Sequence, residues 1–389
     1  MKRFFEFLLP LTLLILGIPN PANSNDAVVQ ILLFVYVGLV VVGAGKLIHK
    51  YFLQRLIIIP VLILFVISSQ INSLGLRDFL AHQPISETYR TDMDDFLKTY
   101  YLMGEGLPYY ISFKQAVEEN AFKSKVSNNL WSWRLPTVFY IWKWLPGESG
   151  VGIYYLFLFL SLGGLYLSYA LIGELLSKKN QHFAILSAYL LFPYFHFALR
   201  DPTLLQTEWW GVFPLLGGIY FLVKNRLNGA IVLFILTVII RELFMIPLIG
   251  IGVLLYIKKS REAWKMLLPM GIFFLMMFFH GQQVLRITGA NGEFFAPRIH
   301  TLGSKIVLST LAFGSWEYAW NQLRIFPIFY VISLVGIIFT KSWFSKYLLV
   351  FFVFPVSFLI LGSSVYNDYW GIFYMPFVII STPLILNYL

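Results

Sequence analysis

Of the 389 residues, 58% are hydrophobic and only 12% are charged, about half the roughly 25% that a soluble domain carries. A water-soluble globule of this composition would expose large apolar patches, which excludes the soluble enzymes and leaves lipid as the main solvent. The net charge of +10 does not point to nucleic acid, because the basic residues sit in short clusters between apolar runs, and the absence of cysteine removes disulfides, thiol nucleophiles and cysteine metal sites.

Along the chain, the first apolar run, 4–19, follows Lys2 and Arg3 and precedes Ala22-Asn23-Ser24. It reads as a signal peptide with a weak cleavage site or as a first crossing. Runs at 27–45 and 55–73 lead into a long mixed stretch, 74–150. Then come 151–176, 182–198, 208–223, 228–240, 243–257 and 265–283, a second mixed stretch at 284–323, and runs at 324–340, 347–364 and 371–388. A helix needs about 20 residues to cross about 30 Å of hydrocarbon, so several runs are short.

With Lys2 and Arg3 inside, the inner connections are 46–55, 177–181, 224–227, 258–264 and 341–346. They hold Lys46, Lys50 and Arg55; Lys178 and Lys179; Lys224 and Arg226; Lys258, Lys259 and Arg261; and Lys341 and Lys346. Each is short and basic, as the positive-inside rule requires. The expectation is one all-α integral membrane domain over 1–389 with about 11–12 transmembrane helices, in the cytoplasmic (inner) membrane. The stretches 74–150 and 284–323 are then extracytoplasmic loops, the first of them helical and placed after the third crossing. Within it, Phe96, Tyr100 and Met103 recur at helical spacing, so 92–104 is predicted as a helix on the membrane surface, capped by Thr91 or Asp92. A second helix is predicted over 111–125, ending in Lys123 and Lys125.

Ionisable residues concentrate on the outer side. Asp92, Asp94 and Asp95 place three carboxylates in four residues, which repel unless a cation, a hydroxyl or water relieves them. They read as a solvated helix start, where negative charge is welcome, or as a general base with an orienting or metal-holding neighbour. Arg241 and Glu242 fall at the turn of the run 228–257. The thirteen residues before the turn reach only about 20 Å, so the tip stops short of the outer surface. Ionisable residues at such depth are functional candidates, though a self-satisfied ion pair is the structural alternative.

Arg134, Arg200, Arg286, Arg298, His300 and Lys305 are further outer cations able to neutralise a phosphate, arginine through its fork. Glu208 and Asp368 also lie on outer tips. His82, His196 and His280 are scattered without metal-site spacing and read as structural. Trp131, Trp133, Tyr366, Tyr369 and Trp370 offer stacking surfaces for a sugar or prenyl group. No glycine-rich phosphate loop or nucleophile elbow is present. An enzyme working outside has no cytosolic nucleotide to draw on, which favours a lipid-linked donor.

The acidic motif is followed by Tyr100, Tyr101, Gly106, Pro108 and Tyr109, and then by Arg134-Leu135-Pro136 with Tyr140. This series resembles the GT-C superfamily of polyprenyl-phosphate-sugar-dependent glycosyltransferases, especially its mannosyltransferase-like and arabinosyltransferase-like branches. The tip at Arg241-Glu242 and the segment from Tyr366 to Pro376 are similar to GT-C features, and the likeness covers roughly 90–260 and the last crossings. Two N-terminal segments precede the motif here, a departure from many relatives.

The resemblance implies inverting transfer from a polyprenyl-phosphate sugar to a hydroxyl of a lipid, glycan or protein acceptor on the extracytoplasmic face. Asp92 or Asp94, with Asp95 beside them, would supply the base, the spacing from Asp92 to Gly106 suiting the pattern better than that from Asp95. Arg241, with Arg298, His300 or Lys305, would hold the donor phosphate; Glu242, Arg134, Arg200, Glu208 and Tyr366 would support the substrate site. No metal or other cofactor is required, although Asp92 and Asp94 have the chemistry to hold a divalent ion. The competing readings are a polymerase or ligase acting on lipid-linked glycans, a lipid phosphotransferase, and a multi-pass transporter, which would be expected to show two similar halves.

Overall fold

In hydrocarbon every backbone N–H and C=O must find a partner within the chain, which makes the helix the natural form of a long apolar run. The computed structural model describes residues 2–17, 23–44, 56–84, 91–120, 123, 125–147, 149–289, 307, 310–311, 326–361 and 365–388. Among them every regular element is a helix and there is no strand.

The chain opens with α1 (Lys2–Leu16) and α2 (Ser24–Leu39), the latter running into a π turn, Val40–Ala44. Next, α3 (Ile58–Asn72) and α4 (Leu74–Ala81) meet at a bend of 62°. Three shorter helices follow in the stretch predicted as the first large loop: α5 (Asp92–Gly104), α6 (Tyr109–Glu119) and α7 (Thr137–Lys143). Then come α8 (Val151–Leu175), α9 (Ile185–Ala198), α10 (Thr207–Val223), α11 (Leu227–Ile240), α12 (Met245–Ile257), α13 (Leu267–Thr288), α14 (Phe326–Phe339), α15 (Val353–Leu361) and α16 (Met375–Ser381). Many joints between these are single 3-10 turns, among them Pro202–Leu205 before α10 and Glu242–Phe244 between α11 and α12.

Three helices among the described residues are long and apolar enough to cross a bilayer: Ser24–Val42, Val151–Leu175 and Ala263–Thr288. The bent pair α3–α4 makes a fourth if it is one span, and five shorter apolar helices accompany them. Large apolar side chains stay exposed along these helices, such as Ile31 and Leu39 on α2, Phe159 on α8 and Phe274 on α13. That is the surface a lipid solvent would cover.

The connections sort themselves to two ends. At one, Lys224 pairs with Glu174, Lys265 Nζ donates to Asn228 Oδ1 at 2.8 Å, and Lys258 stands 4.1 Å from the Phe344 ring. The backbone N–H of Ser177 donates to Asn387 Oδ1 at 2.8 Å, joining the chain's last turn to the same end. Here four of the five basic connections predicted from the sequence meet; the fifth, 46–55, lies outside the described residues. At the opposite end, α5, α6 and α7 pack over the ends of the longer helices: the Tyr101 hydroxyl of α5 donates to Leu80 O at 2.9 Å, and the Thr137 hydroxyl of α7 to Ile239 O at 2.5 Å.

The loop helices form with one change of bounds. Helix α5 forms over the predicted residues, and most of its side chains are covered by protein. Phe96, Leu97, Thr99, Tyr100, Leu102 and Met103 are all buried, because α6 and α7 cover it. The second helix starts earlier and stops at Glu119, since Asn120 turns extended (φ −72°, ψ 115°) and sends its amide to Asp95. Lys123 therefore lies beyond the helix and folds back on Asp92 and Asp95.

Candidate active site

The start of α5 decides what each of its carboxylates can do. Asp94 is committed to its own helix: its Oδ2 accepts the Thr91 N–H at 2.8 Å and the Thr91 hydroxyl at 2.7 Å, while its N–H donates to Thr91 Oγ1. This is a capping box, which satisfies donors the first turn leaves open. Asp95 is buried, with Asn120 Nδ2 donating to Oδ1 at 2.9 Å and Lys123 paired with Oδ2. Burial pushes its carboxyl up, against the pull of Lys123 and Asn120. Asp92 keeps about half of its side chain exposed and shares Lys123 with Asp95. Burial works against the Lys123 ammonium, but Asp92 and Asp95 more than offset it and raise its pKa.

A second set of charges is buried beside this helix. Glu208 sits in the first turn of α10, where the helix dipole favours an anion, and is fully buried. Arg241 ends α11 in an extended conformation (φ −149°, ψ 112°) that turns its guanidinium back onto α10. Its Nε donates to Glu208 Oε1 at 3.0 Å, a second nitrogen lies 2.9 Å from the same oxygen, and a third pairs with Glu242. Arg134 comes from the segment before α7, with one nitrogen 3.8 Å from Glu208 Oε1 and donating to the Tyr369 hydroxyl at 3.3 Å. Its backbone is fixed by the Tyr109 hydroxyl, which donates to Arg134 O at 2.6 Å.

Two arginines and two glutamates thus balance in a buried cluster. Burial opposes the Arg134 charge, yet Glu208, Tyr369, Glu242 and Asp92 together raise its pKa. Asp92 therefore belongs electrostatically to this cluster, through Arg134. Phenylalanine rings back both guanidiniums, Phe96 at 5.7 Å from Arg134 and Phe373 at 5.7 Å from Arg241. His280, on α13, feels the charges of Glu242 and Arg241, and its Nδ1 lies 2.9 Å from the Tyr110 hydroxyl.

Of the residues singled out by sequence, Arg134, Glu208, Arg241 and Glu242 come together, with Asp92 at their edge. Arg200 feels the charges of Asp26 and Asp201, on another part of the bundle. Arg298, His300 and Lys305 lie outside the described residues, and Tyr366 is known by its backbone place in the turn Val365–Phe373. Sequence reasoning missed His280, Tyr110 and Lys123 as site residues. Tyr110 follows the motif residue Tyr109 directly, which is the one signal that could have flagged it.

A divalent ion shared by Asp92 and Asp94 would have to displace the Thr91 cap and the Lys123 pair. No group of three or more metal-ligating side chains gathers among the described residues.

Comparison with protein-family models, curated proteins and solved structures finds no match for this chain.

Proposed function

We propose that this protein is an inverting glycosyltransferase of the GT-C kind, moving a sugar from a polyprenyl-phosphate donor to an acceptor hydroxyl on the extracytoplasmic face of the membrane. The observation that carries this reading is the buried Arg134–Glu208–Arg241–Glu242 cluster at the end opposite the basic connections, with the Asp92 carboxylate among the charges that act on Arg134. A second observation supports it. Six buried side-chain polar atoms on the segments that build this site have no hydrogen-bond partner among the described residues: Arg134 Nε, Trp142 Nε1, Thr203 Oγ1, Gln206 Oε1, Trp209 Nε1 and Glu242 Oε2. Buried polar atoms are ordinarily paired, so their concentration suits a polar substrate that both donates and accepts.

In the proposed reaction the acceptor oxygen bonds to the anomeric carbon as its proton passes to Asp92. The bond from that carbon to the phosphate oxygen breaks, and polyprenyl phosphate leaves with the electron pair. Arg134 and Arg241 stabilise the charge gathering on the phosphate, in a site shielded enough to make such stabilisation effective. Glu208 holds both guanidiniums in place beforehand, so little reorganisation remains for the reactive moment.

The test is transfer in proteoliposomes from a radiolabelled polyprenyl-phosphate hexose. Asp92→Asn is expected to lower turnover by about 10²–10⁴-fold, and Arg241→Lys, which keeps the charge but loses the fork, by about 10²-fold or more. Asp94→Asn and Asp95→Asn retain most activity. Full turnover in Asp92→Asn would remove the base and, with it, this reading.

A further inference from the structure

A second buried polar cluster lies away from the charges just described, where α2, α3 and α9 meet. Asp26 on α2 is fully buried, as is Ser68 on α3, and His196 near the end of α9 is almost so. The Ser68 hydroxyl donates to Asp26 Oδ1 at 2.5 Å, and Ser68 Oγ lies 2.9 Å from His196 Nε2. Gln30 Nε2 adds contacts to Asp26 Oδ1 at 3.3 Å and Ser68 Oγ at 3.2 Å. In a hydrolytic triad the imidazole stands between carboxylate and hydroxyl. Here the hydroxyl stands between, so nucleophile activation does not fit.

Asn72 and Ser68 compete for the same ring nitrogen. Its Nδ2 donates to Ser68 O at 2.8 Å, so the amide nitrogen, and not its oxygen, faces His196 Nε2 at 3.2 Å. An N–H there is satisfied by a lone pair on Nε2, whereas Ser68 Oγ, whose hydrogen lies on Asp26, is satisfied by a proton on Nε2, so the ring nitrogen serves Asn72 when bare and Ser68 when protonated. The amide oxygen of Asn72 meanwhile accepts from Asn23 Nδ2 at 2.9 Å, and Asn23 caps α2 through the Asp26 N–H. The same side chain that reads the state of His196 therefore ties the start of α2 to the end of α3.

We propose that Asp26, Ser68 and His196 form a proton-binding site that latches α2 to α3, closed while His196 is neutral and loosened when it takes a proton. The proton arrives from solvent past exposed Asn23 and lands on Nε2. It is then donated to Ser68 Oγ, which keeps its own hydrogen directed at Asp26. Two N–H groups would now face each other, so Asn72 withdraws and releases Asn23. The charged groups acting on the ring are Asp26 from α2 and Arg200 from its own end of the chain. From α3 come the uncharged Ser68 and Asn72, and from α8 Tyr154, whose hydroxyl goes to Ser69 O at 3.2 Å. The site is independent of glycosyl transfer, and its test needs no activity.

The experiment is hydrogen–deuterium exchange on the full-length protein in detergent, between pH 7.5 and pH 4.5, corrected for the intrinsic pH dependence of exchange. Amides in the first turns of α2 are expected to exchange about tenfold faster at the acid end, as a local opening would, while those of α8 stay unchanged. His196→Gln, which cannot titrate but still offers Asn72 an acceptor, should abolish the response. Ser68→Ala, which removes the group that receives the new proton, should move the transition to lower pH. A pH-independent α2 in the unaltered protein overturns the proposal whatever the variants do. So does an unchanged response in His196→Gln, which would put the titrating group elsewhere, and an unmoved transition in Ser68→Ala would refute the bridge.

Discussion

Asp94 accepts both the N–H and the hydroxyl of Thr91, so Asp94→Ala removes one arm of a reciprocal cap. Thermal unfolding in detergent should show a loss of about 1 kcal/mol, with turnover per folded molecule preserved. Asp95 behaves differently because burial raises its pKa. A carboxyl whose folded pKa exceeds its unfolded value, about 3.9, costs stability while ionised and returns it as pH falls through the folded value. Asp95→Asn keeps the shape and the bond from Asn120 but cannot ionise. It should match or exceed the wild type in stability at pH 7, and its advantage should shrink towards pH 4. A variant clearly less stable at pH 7 would mean that the Lys123 pair outweighs the desolvation. The sequence shows that three adjacent carboxylates need relief, but not which atoms relieve them. Thr91 is a neighbour and its cap is readable; Asn120 and Lys123 are more than twenty residues away, and only the early end of α6 brings them back.

At the scale of helices, the placement of Arg241 rests on a close approach between α10 and the turn after α11. A Cβ added at Gly211 would meet the Phe244 ring at 2.4 Å, and Phe244 is fully buried with its edge against Phe373 at 5.0 Å. Phe373 in turn backs the Arg241 guanidinium. Gly211→Ala should therefore cost about 1–3 kcal/mol by overpacking and also lower transfer, because Phe244 cannot yield without moving the turn that begins at Glu242. Gly218→Ala supplies the control. Its Cβ meets Phe234 at 2.4 Å one helical stretch further along α10, away from the turn. A similar stability loss with transfer per folded molecule kept would separate packing from positioning, and equal loss of transfer in both would show that the turn is not special. The apolar runs made these helices legible, and the charged dipeptide marked the break. What a linear pattern cannot show is which helix receives the returning arginine: Glu208 was an isolated outer acid until α10 and α11 packed together.

For the whole molecule, the decisive property is that its polar connections are sorted by kind. The basic connections around Lys179, Lys224, Lys258 and Lys346 gather at one end, and the aromatic, mixed-charge helices α5, α6 and α7 cover the other. Lysine and arginine beside a crossing are held on the cytoplasmic side by the insertion bias and by anionic lipid, so the proposed orientation puts the buried cluster on the extracytoplasmic side. In the proposed reaction a lipid-linked donor would then reach Asp92 and Arg241 from the extracytoplasmic leaflet, with no nucleotide needed. The absence of native cysteine makes this directly measurable. Single cysteines at exposed Glu118, on α6, and exposed Lys179, at the basic end, are treated in intact cells with a membrane-impermeant maleimide. Position 118 should react at once and position 179 only after the membrane is opened. The reverse pattern would turn the active end towards the cytoplasm, where nucleotide sugars are plentiful, and the argument for a polyprenyl-phosphate donor would lose its foundation even if the cluster itself were intact.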